Sequence, residues 1–129
     1  MTSNRSTLWL TLGMFLLVLI PVVIWGLVST KSSVKPGQYD NLAKCLTVSG
    51  AKMYGAYWCT HCQSQKRTLG DSFQYVKYVE CAVVGTDKLA AECQAAKIQS
   101  FPTWIFGSGE RVEGEMTPEQ LAAKSSCQP

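Results

Sequence analysis

The chain has 129 residues, a net charge of +3 and 16% charged residues, which leaves room for one domain rather than two. No basic block and no stripe of basic and aromatic residues interrupts it, so nucleic acid is excluded as a partner. The composition is uneven along its length: one long uncharged run lies near the N-terminus, and all six cysteines follow it.

Residues 1–7 are a short polar tail. Leu8 to Val28 contain no charged residue over 21 positions, enough for a helix to cross a hydrocarbon core about 30 Å thick. Pro21 is tolerated in a membrane helix, and Trp9 and Trp25 stand near the two ends, where interfacial aromatics collect. A cleaved signal peptide would have an apolar core of about 7–15 residues and a small-x-small cleavage site. This run is longer, and Val28-Ser29-Thr30 makes a poor site. The expectation is an uncleaved transmembrane anchor over 8–28, a linker over 29–38 rich in Ser, Lys, Pro and Gly, and a domain over 39–129.

Two arguments conflict over which side that domain occupies. Only Arg5 and the amino terminus precede the run, whereas Lys31, Lys35 and Lys44 follow it; taken alone, the positive-inside rule puts the domain in the cytoplasm. Six cysteines confined to one side, in a domain of about 100 residues, point instead to an oxidising compartment. The cysteine argument is the stronger, so the domain is placed on the extracytoplasmic side, periplasmic or lumenal. Asn4-Arg5-Ser6 matches a glycosylation sequon, but in this topology it faces the cytoplasm and is treated as chance.

Within the domain, Tyr39 to Leu46 reads as a short lead-in helix with Asp40-Asn41 available as its cap. Ala51 to Trp58 is apolar and aromatic, reads as a buried strand, and delivers the chain to Cys59. Cys59 to Leu69 favours a helix ending at Gly70, and Phe73 to Cys81 reads as a second strand. Thr86 to Lys97 has helical spacing, with Thr86 as its cap. Thr103 to Phe106 and Glu110 to Glu113 are short strands around a Gly107-Ser108-Gly109 turn. Thr117-Pro118-Glu119-Gln120 is a helix start with a capping box, running to about Ser125. The order is an N-terminal helix followed by βαβαββα, a small α/β sandwich with a right-handed crossover between the first two strands.

The chemistry centres on Cys59-Thr60-His61-Cys62. A Cys-x-x-Cys placed after a strand and at the start of a helix brings two sulfurs together across one turn. There the first sulfur faces free N–H groups and the positive end of the helix dipole, which favours thiolate, the attacking species in disulfide exchange. Cys59 is expected to be the exposed nucleophile and Cys62 the resolving thiol. His61 between them would favour the thiolate further and push the pair toward the oxidising end of the range. Two structural alternatives compete. A zinc site needs four ligands, but there is one Cys-x-x-Cys and one histidine, and Cys81 and Cys93 do not form a second such motif. A purely structural 59–62 disulfide is the other; bridges in so short a loop are usually reactive. No cofactor or metal is expected.

These residues resemble a family. Tyr57-Trp58-Cys59-Thr60-His61-Cys62, followed by Ser100-Phe101-Pro102-Thr103-Trp104, resembles thioredoxin-like proteins. More closely, AKMYGAYWCTHCQSQK, Val79-Glu80-Cys81, IQSFPTW and LAAKSSC are similar to the thioredoxin-like domain fused to bacterial and plant homologues of vitamin K epoxide reductase. The resemblance extends from about Leu42 to Cys127. It implies a thioredoxin-like α/β fold for the domain, which in this chain would follow the transmembrane helix expected over 8–28. It implies a cis-proline at Pro102 facing the active pair, against the trans form that base rates favour. It implies that the Phe101 backbone pairs with an extended substrate segment and that Trp58 lines the rim; Trp104 is read as a core aromatic. Six cysteines allow 15 pairings. The family pattern favours Cys81 with Cys93 and Cys45 with Cys127 as structural disulfides, with an electron relay through one of them as the alternative.

This chain departs from the pattern at two places. Thr60 stands where the relatives commonly have Pro, and Met53 stands six residues before Cys59, where ordinary thioredoxins carry a buried acid. Glu80 is the one candidate substitute for that acid. The fused relatives also carry a four-helix quinone-reducing domain, whereas this chain has one membrane segment without cysteine. The expectation is a detached thioredoxin-like partner that oxidises cysteine-containing protein substrates and is itself reoxidised by a quinone-linked membrane oxidase of the vitamin K epoxide reductase type. The rivals are a thiol reductase or isomerase receiving electrons across the membrane, a redox-inert peptide-binding module, and a carrier of copper or zinc.

Overall fold

The computed structural model describes Lys35 and residues 37–129. The expected membrane span over 8–28 lies outside the described residues, among which no helix is long and apolar enough to cross a membrane. The elements are α1 (Asp40–Val48), β1 (Lys52–Gly55), α2 (Thr60–Leu69), a 3₁₀ segment (Gly70–Tyr75), β2 (Tyr78–Glu80), α3 (Ala91–Ala95), β3 (Thr103–Ile105), β4 (Arg111–Glu113) and α4 (Pro118–Ser125).

The four strands form one sheet in the order β2-β1-β3-β4. β1 and β2 are parallel, with Tyr54 opposite Val79, so α2 and the 3₁₀ segment make the crossover that parallel neighbours require. β3 runs antiparallel to β1, with Met53 opposite Trp104, and β4 antiparallel to β3. The central position of β1 explains its composition. Met53, Tyr54, Gly55 and Ala56 are all buried, as expected of a strand covered on both faces. One core gathers Leu42, Ala43 and Leu46 of α1, Met53, Leu69, Trp104, Phe106, Leu121 and Ala122; a smaller one gathers Tyr54, Val79, Cys81, Cys93 and Ile98.

Three boundaries differ from the sequence expectation. The first half of the expected second strand, from Phe73, is 3₁₀, and extended pairing begins only at Tyr78. Its aromatics look β-forming but serve as a lid on α2: Phe73 packs edge-on against Tyr78 at 5.9 Å, and Lys66 lies over both rings. The expected helix over 86–97 shrinks to Ala91–Ala95. Ala82 bridges Leu89, and Ala90 N–H donates to Cys81 O at 2.8 Å. Thr86 therefore organises a turn, accepting from Lys88 N–H, rather than capping a helix. Lys97 ends α3 with φ +52°, and Arg111 covers the carbonyls of Ala96 and Lys97. β1 also stops at Gly55, so a turn closed by Cys59 N–H on Ala56 O at 3.0 Å carries the chain into the motif.

Other details follow the local chemistry. The Thr117–Gln120 capping box is formed in both directions. The Gly107-Ser108-Gly109 turn closes with Phe106 N–H on Glu110 O. A side chain at Gly107 would put Cβ 1.9 Å from Ser49 O, so the close approach of the hairpin to the α1–β1 loop requires glycine. Cys45 and Cys127 are bonded (S–S 2.04 Å), joining α1 to the segment after α4. Cys81 and Cys93 are bonded (S–S 1.99 Å), joining the end of β2 to α3.

Candidate active site

Cys59 is the N-cap of α2, in extended conformation with φ −75° and ψ 117°. Its sulfur takes the place of the usual Ser, Thr or Asp oxygen, accepting the Cys62 N–H at 3.2 Å. The first turn of α2 holds no acidic side chain, so nothing there offsets the positive end of the helix. The pair is in the dithiol form. Cys59 was expected to be exposed; its residue surface is only 7% exposed and Cys62 is fully buried. The Cys59 Sγ also donates to Phe101 O at 3.7 Å. Phe101–Pro102 is a cis peptide, and Pro102 is buried.

In front of Cys59 lies an open groove of about 510 Å³ lined by Trp58, Cys59, Thr60, His61, Gln99, Ser100 and Phe101. Trp58 is 61% exposed and stands edge-on to Phe101 with ring centroids 5.9 Å apart, so the two form an apolar rim. The Ser100 hydroxyl is the one buried side-chain polar atom among the described residues without a partner. It lies in this wall, where buried groups ordinarily find one. Trp104 is fully buried, stacked on Phe106, and not part of the groove.

Burial, with the neighbouring Cys59 sulfur second, pushes the Cys62 thiol up to about 12. The two sulfurs are thereby assigned different tasks: one faces the groove, and the other is held as a protonated thiol behind it. His61 is mostly exposed, and its Nδ1 lies 2.7 Å from Glu115 Oε1. Ser64 first, and His61 next, hold the Glu115 carboxyl below its usual range. The imidazole thus engages the loop before α4 rather than standing alone beside the sulfurs.

That loop is fixed by Gln65, a residue the sequence reading passed over. Gln65 is fully buried. Its Nε2 donates to Met116 O at 3.0 Å, and its Oε1 accepts from Met116 N–H at 2.7 Å and from Trp104 Nε1 at 3.4 Å. A helix position with a polar side chain reads as solvent-facing; only the fold shows that it clamps α2 to the segment carrying Glu115.

Glu80 is also fully engaged. Its carboxylate accepts from Tyr57 N–H at 3.1 Å, Ala82 N–H at 2.9 Å and the Tyr78 hydroxyl at 3.0 Å. Met53 contributes only to the core. The cysteines that a zinc set would need beyond the motif, Cys81 and Cys93, are bonded to each other.

The thioredoxin family model matches residues 51–125, from β1 to the end of α4. The chain belongs to the thioredoxin family. Within that family it is similar to "Thiol-disulfide oxidoreductase LTO1" of Arabidopsis thaliana, with 42% identity over 85 residues. The match takes in 63% of this chain and 22% of the plant protein, so the chain spans about a fifth of that relative's length. A thioredoxin domain with a Cys-x-x-Cys at the N-terminus of α2 accounts for the whole geometry of the groove: a helix-capping sulfur, a buried second thiol, and a backbone carbonyl of the cis-proline loop against the first.

Proposed function

We propose that this thioredoxin-family protein is a thiol–disulfide oxidoreductase that oxidises paired cysteines of extracytoplasmic proteins. In this reading it is held at the membrane by residues 8–28 and reoxidised by a separate quinone-linked membrane oxidase of the vitamin K epoxide reductase type. The observation that carries the reading is Cys59 itself. Its sulfur caps α2 on the floor of a groove, with an apolar rim and an unpaired hydroxyl in the wall, while Cys62 waits one turn behind it.

In the oxidising direction a substrate thiolate attacks Cys59 of the Cys59–Cys62 disulfide. Cys62 leaves with the electron pair and takes a proton. The second substrate thiolate then attacks the substrate sulfur of the mixed disulfide, releasing Cys59 as thiolate. The substrate gains a disulfide and the domain becomes a dithiol. Two further bonded pairs, Cys45–Cys127 and Cys81–Cys93, support an oxidising compartment, and the name of the plant relative supports the reaction class.

The test is a Cys62→Ala variant of the full chain expressed with its membrane segment. Mixed disulfides with extracytoplasmic proteins should accumulate at Cys59. Their absence would refute the reading. The direction of flow is set by the potential of the pair against glutathione buffers. A value near or above about −200 mV marks an oxidant or isomerase, and one near about −270 mV marks a reductase.

A further inference from the structure

The redox reading leaves one group without a partner in the chemistry. Cys62 must lose a proton to attack the mixed disulfide and regain one when it leaves, yet it is fully buried and the position that would carry an acid on β1 is Met53. The neighbouring strand supplies an alternative. Gly55 of β1 has no side chain, and the space it vacates is shared by two groups. A Cβ there would stand 2.9 Å from Cys62 Sγ, 3.0 Å from Tyr78 Cε2 and 3.1 Å from Tyr78 Oη. The thiol and the phenol therefore border the same space beside Gly55. From the phenol the path continues to the Glu80 carboxylate at 3.0 Å, which two backbone N–H groups hold in place on an exposed residue.

We propose that Tyr78 and Glu80 form the proton relay of Cys62. When the domain resolves a mixed disulfide, the Cys62 proton passes to the Tyr78 oxygen as the Tyr78 hydroxyl proton passes to Glu80 and then to solvent. The Cys62 thiolate bonds to Cys59 Sγ. The bond from Cys59 to its partner breaks, and the partner leaves with the electron pair. In the opposite direction the same groups return a proton to the departing Cys62.

The charged and titratable groups facing Cys62 are few. They are Cys59 at the N-cap of α2, Lys66 on α2, 3.8 Å from the Tyr78 ring centroid, and Tyr78 on β2 with Glu80 behind it; β1 contributes Gly55, and the Ala56 backbone follows it. Burial first, and Glu80 next, push the Tyr78 phenol upward. Tyr78 thus acts as a hydrogen-bonded conduit that stays protonated, with Glu80 as the terminal acceptor.

This rests on the redox reading of Cys59 and Cys62, and the test separates the two. The reduced full-length protein is treated with an aromatic disulfide that leaves a chromophoric thiol on Cys59; release of that thiol as Cys62 attacks is then followed by stopped flow. The first step should be the same in wild type, Tyr78→Phe and Glu80→Gln. The second should slow by about tenfold or more in each variant, and no further in the double variant. The difference should shrink as pH rises, because hydroxide replaces the relay. Glu80→Gln keeps an acceptor oxygen for Tyr57 and Ala82, so it reports even where Tyr78→Phe fails to fold. Unchanged second-step rates, or a slowing equal at every pH, would overturn the relay and leave the redox reading standing. If the wild type forms no adduct at Cys59, both fall.

Discussion

The two disulfides outside the groove differ sharply in the loops they close, which turns their structural role into a measurable ratio. Cys45–Cys127 closes a separation of 82 residues and Cys81–Cys93 one of 12. In the chain-entropy treatment a cross-link removes roughly 2.1 + 1.5R ln n cal/mol/K from the unfolded chain. At 25 °C this gives about 4.5 kcal/mol for the long loop and about 2.8 kcal/mol for the short one. Domains of this size are stable by about 5–15 kcal/mol in total. Replacing Cys45 and Cys127 together by Ala should therefore bring the domain close to its unfolding threshold, although α1 and α4 keep their buried Leu42, Leu46 and Leu121. Replacing Cys81 and Cys93 should leave a folded protein. Urea titration under non-reducing conditions, followed by the fluorescence of the fully buried Trp104, measures both. A cost for the 45–127 pair equal to or smaller than that for the 81–93 pair would refute the reasoning. The same variants address the relay alternative for these pairs. A staple leaves the reaction of Cys59 intact wherever the variant is folded, whereas a relay fails with the fold unchanged.

The thiols should label in strict order. With iodoacetamide at pH 8, peptide mass spectrometry should find Cys59 alkylated and Cys62 untouched, because Cys62 is fully buried and its thiol is pushed up to about 12. That upward shift also predicts a stability difference. Its contribution is complete below the ordinary thiol value of 9.0 and is lost as pH rises toward about 12, so the reduced protein should lose stability relative to the oxidised one across that alkaline window in paired thermal melts. Glu115 is shifted the opposite way. Its contribution is present above 4.5 and lost on acidification below it, so Glu115→Gln should be less stable than wild type at neutral pH and converge with it as the pH falls below that value. Gln65→Leu strands both Met116 backbone groups and the Trp104 N–H and should cost about 2–4 kcal/mol in denaturant titration. Trp58→Ala, on a side chain 61% exposed, should change stability by less than about 0.5 kcal/mol while raising KM for a peptide disulfide.

The centre of the site was legible because its chemistry is written in contiguous residues. A strand, a Cys-x-x-Cys and a helix need no tertiary information to be placed in line, and the capping box at Thr117 is equally local. What was not legible depends on partners far away in the chain. Phe73 and Tyr75 have strand-forming side chains, but the space over α2 holds them as a 3₁₀ lid. Leu89 and Ala90 follow helical spacing with Cys93, but the Ala82–Leu89 bridge keeps that stretch extended until Ala91. Gln65 and Glu115 are separated by about 50 positions and are individually unremarkable polar residues; only the β4–α4 loop folded against α2 makes one a clamp and the other the partner of His61.

The arrangement of the two sulfurs explains why the missing acid at Met53 matters. An incoming disulfide can touch only Cys59, since Cys62 is wholly covered. That order of attack protects the resolving thiol from stray oxidation, but it also moves deprotonation of Cys62 into the interior, where a charged sulfur is disfavoured. The step that burial makes selective is thus the step it makes slow, unless a proton acceptor is built beside it. β1 is an interior strand with both faces covered, and Met53 there is a full member of the core; a carboxylate at that position would carry the desolvation penalty of a buried charge. Glu80 sits at the end of β2, an edge strand, with backbone donors and solvent around it, so its charge costs little. Reaching Cys62 from there requires a side chain long enough to cross from one strand to the next and a neighbour small enough to let it pass. Tyr78 and Gly55 are that pair.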